Sequence, residues 1–187
     1  MDFDLIAILA GVAFVAGFVD SIAGGGGLLA LPALLVAGLD PVSALATNKL
    51  QGSFGTGSAV IAYARQRHID FRRSLPMVAT TFAGAVLGVL AVKFAPTALL
   101  SAILPVLLIV MAIYFALSRR LSNDDARARM SERAFTFSVA PALGFYDGIF
   151  GPGVGSFFLL GFVTLLGFSV LRASAHTRLL NFTSNIA

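Results

Sequence analysis

Two carboxylates stand inside apolar sequence. Asp20 lies in the run Gly17-Phe18-Val19-Asp20-Ser21-Ile22-Ala23-Gly24, and Asp147 in Gly144-Phe145-Tyr146-Asp147-Gly148-Ile149-Phe150-Gly151. A charge in such a setting costs about 2.5–3.5 kcal/mol on insertion scales, so it needs a reason. One reading makes each Asp a proton-coupling group; the other makes it an acceptor for N–H groups of the adjacent glycine loop. The glycine clusters themselves, Gly24, Gly25, Gly26 and Gly27, then Gly151, Gly153 and Gly155 around Pro152, interrupt apolar helices. An interrupted helix leaves N–H groups and a positive dipole end at the break, which suits an anion. Close helix packing by small residues is the competing use of the same glycines.

Polar stripes follow each cluster. Thr47, Gln51 and Ser58 recur at helical spacing, with Asn48 and Lys49 beside them. Thr177, Asn181, Ser184 and Asn185 do the same, beside His176 and Arg178. Such groups can replace the hydration of a polar substrate, or they can join helices by hydrogen bonds. For the cations, snorkelling to the interface competes, most of all at Arg172, which lies near a turn.

The elements that position these residues follow from composition. The chain has 187 residues, 58% of them hydrophobic and only 12% charged, with a mean hydropathy of +0.92. A soluble domain carries about 25% charge, so a soluble enzyme is excluded, and so is disorder. The class expected is an all-α polytopic helical membrane protein. With no cysteine and only two histidines, a metal site, thiol catalysis and any cofactor are not expected. The net charge of +4 is assigned to loops at the membrane rather than to nucleic acid. With no tryptophan, an aromatic belt would rest on Tyr63, Tyr114 and Tyr146. The N-terminal stretch has acids in place of a basic region and no cleavage site, so it is not read as a signal peptide.

Residues 5–37 would form a helix of about 50 Å if unbroken, against a hydrocarbon core of about 30 Å. A broken helix, or a span with a re-entrant half, is therefore expected there. Gly38-Leu39-Asp40-Pro41 reads as a turn. Residues 42–64 form the next helix, and 74–94 with 97–118 a hairpin of two spans, the second kinked at Pro105. Residues 134–166 again exceed one span and again hold a Gly/Pro cluster; 171–187 begin a further helix. Nine of the thirteen basic residues fall in two loops, at Arg65, Arg67, Arg72 and Arg73, and at Arg119, Arg120, Arg127, Arg129 and Arg133. Two spans separate these loops, so both should face the cytoplasm.

The two Asp-containing runs match at five of eight positions with an offset of 127 residues. Thr47 to Ser53 parallels Thr177 to Thr183 after a three-residue insertion. We read two homologous membrane repeats with Gly-broken helices, residues 1–118 and 134–187, joined by a basic cytoplasmic loop at 119–133. The second is expected to be truncated by about one hairpin. Paired interrupted segments are the best sequence pointer to a transporter's binding site. Enzyme readings are poor: an intramembrane aspartyl protease would need a Gly-x-Gly-Asp motif, and a Ser156–His176 pair lacks its context. A non-transporting membrane subunit and a channel are the other rivals.

The runs AGFVDSIAGGGGLLALPALLVAGLDPVSALATNKLQ, GFYDGIFGPGVGSFF and AHTRLLNFTSN resemble the TauE/SafE sulfite-exporter family (TSUP), in particular its YfcA-type inner-membrane branch. The resemblance covers nearly the whole chain. It implies a multi-pass transporter of the bacterial inner membrane, of about eight spans and some 250–270 residues. The implied cargo is a small sulfur-containing anion, such as sulfite or a sulfonate like sulfoacetate, with a homo-oligomer left open. The positions it marks for substrate are Gly24, Gly25, Gly26, Gly27, Asn48, Lys49, Gln51, Gly151, Gly153, Gly155, His176, Arg178 and Asn181. Asp20 and Asp147 are the coupling candidates, and the expected mechanism is alternating access.

Overall fold

A computed structural model describes residues 3–22, 24–117, 121–122 and 127–187. Among them the secondary structure is helical. The elements are α1 (Phe3–Ile22), α2 (Gly27–Val36), α3 (Pro41–Arg65), α4 (Phe71–Phe94), α5 (Thr97–Leu117), α6 (Glu132–Phe137), α7 (Val139–Ile149), α8 (Val154–Thr164) and α9 (Val170–Asn185). Three helices are long and apolar enough to cross a membrane: α1, α4, and α5 over Thr97–Tyr114. The all-α membrane class read from composition is what the fold shows.

Both expected breaks are present. The first falls between Ile22 and Gly27, where Gly24 has φ +73° and its N–H returns to the Val19 carbonyl (3.2 Å), as at a helix end closed by a left-handed residue. The second falls between Ile149 and Val154, where Gly151 and Gly153 have φ +91° and +80°. The long segment 134–166 is in fact cut twice, because α6 also stops at Ser138. Pro141 lacks the N–H that would continue the ladder to Phe137 and restricts the residue before it, so the chain restarts as α7. Pro32, Pro76 and Pro105 lie inside helices that continue through them.

The remaining boundaries follow from caps. Asp40 accepts from the N–H groups of Val42 and Ser43 at 3.1 Å, and Pro41 occupies the first turn of α3. The Ser43 hydroxyl and these N–H groups hold the exposed Asp40 carboxyl below the ordinary carboxylate range. Asp70, Ser131 and Ser169 cap α4, α6 and α9 in the same way. Arg119 and Arg120 of the basic loop lie outside the described residues; Arg129 and Met130 bond to the Leu165 carbonyl at 2.7 and 2.9 Å, which pins that loop to the end of α8.

Two packings hold the bundle. α4 and α7 cross at glycines: Gly84 and Gly88 on one helix, Gly144 and Gly148 on the other. A Cβ at Gly84 would strike the Pro141 carbonyl, and one at Gly144 the Thr81 carbonyl. The spacing of four on both helices is the small-xxx-small pattern of close membrane crossings. α3 packs on α9, with Phe182 against Gly57 and Asn185 against Gly52. A phenylalanine-rich core of Phe135, Phe158, Phe162 and Phe168 fills the space among α6, α8 and α9.

The crossing makes a stability prediction. Gly148→Ala should destabilise the protein by about 1–3 kcal/mol, as overpacking does, because its Cβ would meet the Ala85 carbonyl and the Gly88 backbone. Gly11→Ala, whose Cβ meets nothing within 4 Å, should hold or raise the thermal midpoint. Equal midpoints for the two variants in detergent would refute the close crossing.

Candidate functional site

The two breaks face each other. A Cβ at Gly155, in the first turn of α8, would lie 2.9 Å from the Gly24 Cα and 3.1 Å from the Asn181 amide nitrogen. α3 and α9 run past this meeting point and present polar side chains to it. Among them is a cavity of about 20 Å³, lined at its polar positions by Asp20, Asn48, Asp147, Asn181 and Asn185, with Gly24, Gly25, Gly27, Gly52, Gly151 and Gly153 between them. That is room for about one water.

The charges at the site are arranged crosswise. Lys49, on α3, reaches Asp147 of the second break, Nζ to Oδ1 3.3 Å. Arg178, on α9, reaches the first break: its Nη2 donates to the Ile22 carbonyl at 2.6 Å, and its Nη1 occupies the space a Cβ at Gly24 would need. Gly24 is thus required twice, for its positive φ and for its missing side chain. Asp20 does not pair with Arg178; its Oδ1 accepts the Gly26 N–H at 2.8 Å. Asp147 and Arg178 are each only 1% exposed.

Several buried polar atoms here have no hydrogen-bond partner among the described residues. They are the Nε and Nη1 of Arg178, Nζ of Lys49, Oδ2 of Asp147 and Oδ1 of Asn48. An unsatisfied buried donor costs about 1–3 kcal/mol, more if charged, and clusters of them in one place call for an explanation. The backbone groups of the breaks are less free than the sequence suggests. Gly24 N–H bonds to Val19, Gly26 N–H to Asp20, Leu28 N–H to Gly25 and Val154 N–H to Gly151. The uncommitted donors come from side chains rather than from glycine amides.

Of the residues singled out in the sequence, Asp20, Gly24, Gly25, Gly27, Asn48, Asp147, Gly151, Gly153 and Asn181 line this one cavity. Lys49, Arg178, Gly26 and Gly155 stand directly behind it. Gln51 does not join them: its Nε2 donates to the Ala13 carbonyl (3.0 Å), and it lines a separate groove between α1 and α3 with Phe14, Phe18 and Ser58. His176 does not join them either. It lies toward the other end of α9, its Nδ1 2.9 Å from the Arg172 carbonyl and its ring against Phe162 and Phe168. Tyr146, expected at a belt, instead donates its hydroxyl to the Pro152 carbonyl at 2.7 Å and braces the second break. Gly52 and Asn185 are cavity residues that the site reading omitted. Asn185 already stood in the polar stripe, and Gly52 is four residues from Asn48, so helical spacing could have found both.

Interrupted helices meeting at a buried, charged cavity in an apolar helical bundle define a helical membrane transporter. The family model described as "Sulfite exporter TauE/SafE" matches residues 9–187. The chain belongs to this family, which is one of transporters, not enzymes. It is 54% identical over 184 residues to "Probable membrane transporter protein ORF9" of Sinorhizobium sp, covering 98% of this chain and 70% of that one. It is 47% identical over 182 residues to "Probable membrane transporter protein YfcA" of Escherichia coli (strain K12), covering 97% and 68%. A "Probable membrane transporter protein" of Haemophilus influenzae is 45% identical over 98% of this chain and 72% of its own length. No solved structure gives a significant match.

The Lys49–Asp147 pair can be tested alone. Removing one member of a buried pair leaves an uncompensated charge and typically costs about 3–5 kcal/mol. Lys49→Met should therefore lower the thermal midpoint sharply, and Lys49→Met with Asp147→Asn should recover at least half of the loss. A single variant as stable as the parent would show that the Lys49–Asp147 contact contributes nothing to the fold.

Proposed function

We propose that the chain moves a small sulfur-containing anion, sulfite or a sulfonate such as sulfoacetate, through the cavity between the two breaks by alternating access. The carrying observation is Arg178. It is a buried guanidinium with no carboxylate in ion-pair contact among the described residues and with two nitrogens unpartnered. Buried guanidinium donors without acceptors are strongly unfavourable, and a bound oxyanion would supply the missing acceptors. Asn48 and Asn181 add amide groups at the same place, which suit an oxyanion's remaining lone pairs.

Charge balance favours a proton as the coupling ion. With both carboxylates ionised, Lys49 and Arg178 are balanced by Asp147 and Asp20, and the site is neutral. A monoanion then adds a net negative charge unless a carboxyl takes a proton. Asp147 is committed to Lys49. Asp20 is held by a single backbone N–H, with its other oxygen toward the cavity side at Gly52. Asp20 is therefore the better candidate for the proton that accompanies the anion, and Asp147 the better candidate for a structural ion. The cavity, at about 20 Å³, admits no sulfite as it stands, so loading requires the breaks to separate. Rocking of the proposed repeats against one another would do this.

Sulfite flux into proteoliposomes, with and without an imposed pH gradient, tests the reading. Saturable, gradient-dependent flux is expected. Arg178→Gln should reduce it at least about 100-fold, the scale of losing a charge-assisted contact in a water-excluded site. Asp20→Asn should retain binding and lose the dependence on the gradient. Sulfite and sulfoacetate flux that Arg178→Gln leaves unchanged would exclude the proposed site.

A further inference from the structure

A second polar cavity, of about 330 Å³, opens beside the first basic loop. It is lined by Arg67, His68, Asp70, Arg73, Arg172 and His176, together with Ser169 and Leu171. We propose that it is a second oxyanion site, a vestibule that collects the transported anion before it reaches the central cavity. This rests on the anion-transport reading above and adds to it a separate binding site.

Three observations carry the proposal. The first is the imbalance of charge. Arg73 binds Glu132 through two hydrogen bonds, 2.9 and 2.7 Å, and Arg172 reaches the same carboxylate at 3.7 Å. One acid therefore serves two guanidinium groups, and Arg172 is further fixed by lying 3.6 Å over the Phe168 ring. Asp70 turns one oxygen to the Arg73 backbone N–H as the cap of α4. Arg67 has no ion pair among the described residues. Three arginines thus face two carboxylates, and the surplus cation is Arg67.

The second is the backbone of Arg67. It has φ +58° at the end of α3, with its N–H on the Ala64 carbonyl and the His68 N–H on Tyr63. This helix ending takes glycine by preference, because a Cβ is disfavoured in the left-handed region. A bulky residue kept in a left-handed position is an observation that points toward function. The conformation delivers a guanidinium to the cavity wall where a glycine would leave it bare.

The third is the floor. His176 is 6% exposed, packed against Phe162 and Phe168. A carbonyl only accepts, so Nδ1 carries the proton in the bond to Arg172, and Nε2 of the neutral ring is an acceptor; the ring closes the floor, and an oxyanion above it takes its hydrogen bonds from the arginines. From His176 the same helix reaches Asn181 of the central cavity, five residues and about 7.5 Å along its axis. Thr177 lies between, buried, its hydroxyl without a partner among the described residues. The two cavities therefore lie about 7.5 Å apart along the axis of one helix, on different faces of it.

Both histidines of the chain, His68 and His176, line this cavity. Histidine-selective ¹⁵N labelling therefore reports on it and on nothing else. In nanodiscs of phosphatidylcholine, sulfite titrated at constant ionic strength against chloride should shift the imidazole signals saturably. Arg67→Gly, which suits the backbone and should not lower the thermal midpoint, should raise the half-saturating concentration at least about fivefold, as expected for one missing charge at a partly screened site. Arg67→Lys should stay within about twofold of the parent, since the charge is kept. Histidine signals that do not respond, or that respond equally in Arg67→Gly, would overturn the vestibule. So would shifts that appear only when phosphatidylglycerol is added, which would assign the cavity to a lipid headgroup. Silent histidines alongside robust sulfite flux would remove the vestibule and leave the transport reading standing. Saturable shifts without flux would keep the anion site and remove the transport reading.

Discussion

The buried cation at Arg178 sets the terms for everything around it. A guanidinium removed from water needs acceptors, and α9 delivers this one to the broken end of α1, where the Ile22 carbonyl lies free of the helical ladder. The break must be there for that carbonyl to be available, and residue 24 must be glycine for the guanidinium to fit. Lys49 does the corresponding thing from α3 to the second break, through Asp147. Each polar helix thus sends its cation across the bundle, so the two interrupted segments are tied together by charge as well as by packing. On the proposed reading, a ligand that competed for these cations would act on both ties at once, which is the differential interaction that a conformational change requires.

Close approach is what allows the charges to meet. The backbones of α4 and α7 touch through four glycines, and the breaks touch through Gly24 and Gly155. In lipid there is little hydrophobic drive between helices, so such contacts supply the packing that a soluble core would obtain from burial of apolar area. The same smallness leaves almost no room at the centre. A cavity of about 20 Å³ among so many polar groups describes a closed site rather than an open channel.

The organisation along α9 joins these features. One end of that helix carries Arg172 and His176 among the basic loop and the phenylalanine cluster; the other carries Arg178, Asn181 and Asn185 at the breaks. Glu132 fastens the first end to α4 and α6 through Arg73 and Arg172.

The sequence by itself determined the class, the two breaks and their buried carboxylates. Low charge with long apolar runs leaves only a membrane bundle, and Gly24 to Gly27 or Gly151 to Gly155 cannot continue a helix of that length. It also put Asn48, Lys49, Arg178 and Asn181 within reach of one site, since each follows a break by one turn-linked helix. Only the tertiary structure decided which face of those helices looks inward. On α3 the stripe of Thr47, Gln51 and Ser58 has the right spacing, yet Asn48, Gly52 and Thr56 are the residues buried. A helix that is apolar or small on every side carries no periodic mark of its inner face, because lipid and protein interior are alike in polarity. For the same reason His176 could be read as a neighbour of Arg178, although a helix sends residues two apart to nearly opposite sides. The crosswise pairing of cations and breaks is a contact between residues about a hundred or more positions apart, and no local spacing encodes it.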